Sequence, residues 1–257
     1  MVNVPSIFFA AILLTSTLCA RDLISKKPAA TSSVLNWMGH KWNLTNGGMA
    51  GVIKGKPSNI SVDASGYLHL RITKSGSTWT GSEMFTQDNL GFGTYQWQIQ
   101  GNNVYNMDPP IVLGLFPYGP AHNIGVDGEN ELDVEFSNWD GDFLPQLVNM
   151  DFTDYPATGH RRPGGAGSFE DDFQASSAPA FTTVRIQWSS TRVISTVMAG
   201  LQPIGVTANV IKQDTFNGTT ASVPQDAIPV GMNLWSYKVK PTHTWEIVVR
   251  NFQFVHQ

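Results

Sequence analysis

Apolar and polar residues alternate strictly in short runs spread along most of this chain. Leu68, Leu70 and Ile72 interleave with His69, Arg71 and Thr73, Tyr95, Trp97 and Ile99 with Gln96, Gln98 and Gln100, and Val184, Ile186 and Trp188 with Arg185 and Gln187. Successive side chains of an extended chain point to opposite sides, so a period of two predicts strands buried on one face only. Clusters such as Asn46-Gly47-Gly48, Asp108-Pro109-Pro110 and Pro163-Gly164-Gly165 separate the runs as turns do, and no long stretch keeps a helical period. The pattern predicts an all-β fold, an antiparallel β-sandwich or jelly roll.

One alternating run carries chemistry. Glu131, Asp133 and Glu135 interleave with Leu132, Val134 and Phe136, which predicts a strand with three carboxylates on one face and three apolar groups in a core. Neighbouring carboxylates repel, and that repulsion splits their pKa values, keeping one acid protonated beside an ionised one. The Glu131 and Glu135 α-carbons are about 13 Å apart in an extended chain. Each side chain leans inward by roughly 3 to 4 Å, which leaves roughly 5 to 6 Å between the carboxyl groups. Retaining glycosidases use about 5 to 5.5 Å and inverting ones about 6.5 to 9.5 Å, so the spacing favours double displacement through a glycosyl-enzyme intermediate. A surface acidic strand or a calcium-binding loop is the competing reading, but Asp127 to Asp142 lacks the sixth-position glycine and terminal glutamate of an EF-hand loop.

Further residues are candidates for sugar contact. Trp139 falls four positions beyond Glu135, on the same face of a continued strand, where a flat indole suits a sugar ring. Glu83, Asn149 and Asp151 are candidate polar contacts, Asn149 and Asp151 because they alternate with Val148, Met150 and Phe152. Trp97, Trp188 and Trp245 read as interior, and His160 as a loop bystander.

Composition narrows the partners. The chain has 257 residues, 24 Gly, 15 Pro and 14% charged residues with a formal net charge of -4. That suits one large β-rich domain, offers no basic stripe for nucleic acid, and leaves a neutral polysaccharide as the expected partner. The stretch from Ile7 to Leu18, followed by Cys19-Ala20, reads as a secretory signal over 1–20 that is too short to span a bilayer. A short segment over 21–35 and a single domain over 36–257 follow, with a secreted monomer expected and the membrane engaged only through the signal. Cleavage removes Cys19, the only cysteine, so neither disulfides nor thiolate metal sites are expected. Asn43, Asn59 and Asn217 head N-glycosylation acceptor patterns.

The acidic motif and its surroundings resemble glycoside hydrolase family 16, most closely its lichenase type, with a concanavalin A-like jelly roll. Gly81-Ser82-Glu83 with Gly91-Phe92-Gly93-Thr94-Tyr95, Leu115-Phe116-Pro117-Tyr118-Gly119-Pro120, Glu131 to Glu135, and Met232-Asn233-Leu234-Trp235 carry the likeness. The resemblance implies a nucleophile at Glu131, a general acid and then base at Glu135, and a hydrogen-bonding neighbour at Asp133. It places Asn233 and Trp235 beside the substrate groove. It implies a β-1,3-1,4- or β-1,3-glucan substrate and no cofactor, with a cell-wall transglycosylase or a non-catalytic, lectin-like glucan-binding protein as alternatives. Two departures stand out: Asn251 occupies a position where the family places a calcium-holding aspartate, which weakens the case for calcium, so no metal residue is assigned, and Phe136-Ser137-Asn138-Trp139-Asp140-Gly141 differs from the usual continuation. The absence of an extra residue before Glu135 favours the lichenase and transglycosylase branches over laminarinases.

Overall fold

The computed structural model describes residues 33–119, 130–138, 148–155, 169–175 and 177–257. Over these residues the chain forms β1 (Ser33–Trp37), β2 (His40–Leu44), β3 (Lys54–Gly55), β4 (Ile60–Val62), β5 (Leu68–Ser75), β6 (Thr78–Thr86), β7 (Gly93–Gln100) and β8 (Ile111–Pro117). They continue as β9 (Glu131–Phe136), β10 (Met150–Tyr155), β11 (Phe169–Phe173), β12 (Phe181–Ser189), β13 (Arg192–Ala199), β14 (Val210–Asn217), β15 (Val230–Ser236) and β16 (Trp245–His256). Two short 3-10 turns, at Pro57–Asn59 and Asn103–Asn106, are the helical elements among the described residues.

Two antiparallel layers result. The front layer runs β11-β10-β9-β8-β15-β6, and β2 and β1 add to β6. The back layer runs β5-β16-β7-β12-β13-β14, and the β5–β6 hairpin joins the two. Tight turns match strand twist: Met38 and Gly39, both at positive φ, close the β1–β2 hairpin between Trp37 and His40, as a two-residue loop of the primed type requires.

The predicted alternation holds where one face meets the core. Leu68, Leu70, Ile72, Tyr95, Trp97, Ile99, Val184, Ile186 and Trp188 of the back layer are buried with Leu132, Val134, Phe136, Met150 and Phe152 of the front layer in one cluster. Contacts cross between layers: the Tyr105 ring meets Phe136 edge-on at 5.5 Å, and its hydroxyl lies 2.9 Å from Thr182 Oγ1. Each large apolar side chain removed from water contributes roughly 1.5 to 3 kcal/mol, and this cluster ties both layers together.

The polar face of the back layer is not simply wet. Gln96 and Arg185 are buried there, because the segment over 200–207 crosses it. Arg185 donates to Gln96 Oε1 and to the carbonyls of Pro203 and Val206, while Gln96 and Gln98 donate to the carbonyl of Gln202. Asn59, one of the three acceptor patterns, is buried with its amide donating to Thr80 and Gly81. Asn217 is exposed at the end of β14.

Candidate active site

The front layer turns one face to the core and the other outward, and strand register arranges the outward residues in rows. The longest row crosses six strands: Glu83 on β6, Asn233 on β15, Gly114 on β8, Glu135 on β9, Asp151 on β10 and Asp172 on β11, each opposite the next. A second row holds Phe85, Gly231 and Phe116, and Asp133 opposite Thr153. In a third, Glu131 lies opposite Tyr155 on one side and bridges to Tyr118 on the other. Glu131, Asp133 and Glu135 therefore share the outward face of β9. The outer two are half-buried and Asp133, between them, is 8% exposed.

Hydrogen bonds fix the far end of the long row. Glu83 is buried, accepts from Thr45 Oγ1 at 2.7 Å, and is bonded by Asn233. Burial pushes its carboxyl up to about 7 against the lowering effect of those two bonds. The Asn233 oxygen accepts from the Gly114 N–H at 3.1 Å. A Cβ on Gly114 would sit 2.5 Å from that same oxygen, so only glycine leaves room for the asparagine to lie over the strand.

The aromatic surface beside the acids differs from the one the sequence suggests. Phe85 lies 5.7 Å from Phe116 and 6.2 Å from Tyr118, and Phe116 lies 6.4 Å from Tyr118. Gly231 has no side chain between the two phenylalanine rings, where a Cβ would meet Phe116 at 2.4 Å. Uniform burial of β8 and β15 hides this cluster from a reading of periodicity. The only signal in the sequence is the glycine spacing, Gly114 and Gly231, opposite bulky neighbours.

Trp235 is on the outward face but only 2% exposed, packed with Val112 and Val148 beneath Met49 and Ala50. It supports the floor instead of offering a free ring face. Asn149 does not join the row: its amide donates to the Tyr105 carbonyl and its oxygen accepts from the Ala175 N–H. Both ends are committed to bracing loops, because Asn149 precedes β10 and lies beyond the ladder that aligns Asp151. Trp97 and Trp188 are core residues, and Trp245 is half-buried against the His243 ring at 4.9 Å. Trp139, His160 and residues 1–32 lie outside the described residues. Among the described residues, no group of three or more His, Cys, Asp or Glu side chains is placed to hold a metal.

A scan against protein-family models finds no match, and a search of curated proteins finds none. Solved structures do match. A Bacillus licheniformis β-glucanase has a TM-score of 0.62 at 16% identity, over 88% of this chain and 100% of that one. A laminarinase from Flavobacterium sp. UMI-01 has a TM-score of 0.56 at 14% identity, over 84% and 93%. The kappa-carrageenase of Pseudoalteromonas carrageenovora has a TM-score of 0.54 at 12% identity, over 90% and 100%. At these identities the likeness establishes the fold: the chain has the jelly roll of the glycoside hydrolase family 16 enzymes.

Proposed function

We propose that the protein is a secreted, monomeric, retaining endo-β-glucanase of glycoside hydrolase family 16, acting on β-1,3-1,4- or β-1,3-glucan. The observation that carries this reading is the placement of Glu131 and Glu135 on one outward strand face, both reachable by solvent, with buried Asp133 between them. Similarity of fold to endo-acting glucan hydrolases supports it, and the apolar Ile7–Leu18 stretch supports secretion.

In this mechanism the Glu131 carboxylate attacks the anomeric carbon while Glu135 gives its proton to the departing glycosidic oxygen. The sugar is left as an ester of Glu131. Glu135, now ionised, takes a proton from water, the resulting hydroxide displaces Glu131, and both acids return to their starting states. Asp133 acts as the neighbour that tunes Glu131. Glu83 and Asn233 would meet sugar hydroxyls further along the groove, over the Phe85–Phe116–Tyr118 surface, with Trp139 as a further candidate from the sequence and Trp235 beneath the floor.

Incubation with mixed-linkage glucan, laminarin, xyloglucan and chitin oligomers, with products followed by proton NMR from the first minutes, tests the reading. New reducing ends formed first as the β-anomer are expected. First-formed α-anomers exclude retention, transfer products without new reducing ends indicate a transglycosylase, and tight binding without turnover indicates a glucan-binding protein.

A further inference from the structure

Taking secretion from the reading above, we infer that Asn217 is an N-glycosylation site, the one of three acceptor patterns that the fold leaves able to carry a glycan. Asn43-Leu44-Thr45, Asn59-Ile60-Ser61 and Asn217-Gly218-Thr219 all satisfy the pattern as sequence. They differ in what the folded chain does with the side-chain nitrogen that would bear the sugar.

Asn59 has no room for one. It is 2% exposed, its Nδ2 donates to the carbonyls of Thr80 and Gly81 and to Thr80 Oγ1, and its Oδ1 accepts from Thr73 Oγ1 at 2.8 Å. A sugar on that nitrogen breaks the whole set and drives a bulky polar group against β6, where buried polar atoms lose their partners. Asn43 is half-buried in β2, a strand paired on both sides by β1 and β6. Its Oδ1 accepts from Gln87 Nε2 at 2.9 Å, and the hydroxyl of Thr45, the third residue of its pattern, is buried and donates to Glu83.

Asn217 meets the opposite conditions. It ends β14, the last strand of the back layer. Both Asn217 and Thr219 are exposed, and among the described residues no hydrogen bond holds the Asn217 side chain. In the β13–β14 ladder Asn217 lies opposite Arg192, on the outward face, while the adjacent pair Val193 and Phe216 turns to the core. Gly218 then bends the chain out of the strand. Its N–H donates to the Thr191 carbonyl, and the N–H groups of Ser222 and Val223 return to the Thr219 carbonyl. A Cβ on Gly218 would meet Ser222 Oγ at 2.5 Å, so the glycine inside the pattern permits the tight return that leaves Asn217 at an open corner.

That corner is on the outward face of the back layer, so both layers of the sandwich separate it from Glu131 and Glu135 on the outward face of the front one. A glycan there neither crosses the groove nor parts the layers. In the transfer, a bond forms from Asn217 Nδ2 to the anomeric carbon of an oligosaccharide carried on a lipid diphosphate, and that carbon's bond to the diphosphate oxygen breaks. The diphosphate leaves with the bonding pair and the amide gives up one proton, so the step needs no oxidant or reductant.

The test is expression of the full chain in a eukaryotic secretory host, once as it stands and once with the host's own signal placed ahead of it. Protein from the medium and from the secretory membranes is treated with peptide N-glycosidase in heavy-oxygen water, which leaves a labelled aspartate wherever a glycan stood, and its peptides are read by mass spectrometry. Label at position 217 is expected, with none at 43 or 59 in secreted protein. Thr219→Ala should lose the label while keeping Asn217, Thr219→Ser should keep it, and Asn217→Gln should lose it without changing glucan turnover. A bare Asn217 in protein from either fraction overturns the inference, as does label at Asn43 or Asn59 in secreted protein. Protein that enters the secretory route only behind the host's signal refutes secretion by the chain's own leader, and its peptides still decide this inference.

Discussion

Glu131 and Glu135 are the same residue type on the same strand face, and the rows they stand in give them different neighbours. Glu131 lies between the phenol-bearing Tyr118 and Tyr155, while Glu135 lies between the bare Gly114 and the carboxylate of Asp151. Hydroxyl donors suit an ionised nucleophile and a carboxylate neighbour suits a protonated acid. Glu131→Gln is therefore expected to abolish turnover of every substrate. Glu135→Gln is expected to lower glucan turnover by about 10² to 10⁴ yet still release a burst of phenolate from an aryl glycoside with an acidic phenol. Rapid-mixing kinetics read the difference, and equal losses on both substrate types in the two variants contradict the division of roles. These acids were legible because alternate spacing within six residues states its own geometry. Asp151 was legible only as a candidate polar contact, since its place opposite Glu135 is set by register, which a single sequence does not write down. Burial of Trp235 was equally hidden, because Met49 and Ala50 reach it from the far end of the chain.

At the scale of strands, legibility follows how many faces are covered. β5 alternates because one face meets the core, and β7 and β12 alternate in sequence although the segment over 200–207 buries part of their polar face through hydrogen bonds. Every residue of β8 and β15 is buried, because the core covers one face and site residues and loops cover the other, so their composition reads as interior without revealing that one side belongs to the site. Gly114 is where the two strands depend on each other most closely. In Gly114→Ala the new methyl meets Asn233 Oδ1 at 2.5 Å and the Phe116 ring at 3.2 Å, forcing Asn233 off the Gly114 N–H and away from Glu83. Overpacking of this kind costs about 1 to 3 kcal/mol, and at roughly 2 to 4 °C per kcal/mol for a domain of this size the melting temperature should fall visibly in calorimetry. The KM for glucan should rise as well, since the polar end of the row loses its alignment. A variant that melts with the parent protein would show that Asn233 does not need the space.

At the scale of the whole molecule, two buried acids among the described residues, Glu83 and Asp154, have carboxyls raised by burial, and they shape how stability depends on pH. Burial pushes Glu83 up to about 7, and burial reinforced by the charge of Asp214 pushes Asp154 up to about 8. Asp154 faces the space between the layers, near Asp171, Asp214 and Lys212, where Lys212 is ion-paired with Asp171. Both groups bind protons more tightly folded than unfolded. The stability tied to them is therefore full below the unfolded values near 4 and is lost as pH climbs to about 8. At about 1.4 kcal/mol per pKa unit, Glu83 alone costs on the order of 3 kcal/mol by the end of that window, and Asp154 adds a cost of the same order. Two exposed groups act in the opposite sense. Asp63 is lowered chiefly by the Tyr67 N–H, and at Glu246 the contacts with His69 and Arg71 outweigh the raising effect of burial, so their stabilisation disappears only in acid. Because Glu83 is on β6 and Asp154 on β10, strands whose inward residues share one core, the loss is felt as a single cooperative transition. The melting temperature is accordingly expected to peak near pH 5 and decline to pH 9, measured calorimetrically across a buffer series. In the double variant Glu83→Gln, Asp154→Asn the decline should shrink by more than half, since neither amide titrates, and a slope that survives intact would assign the pH dependence to other groups.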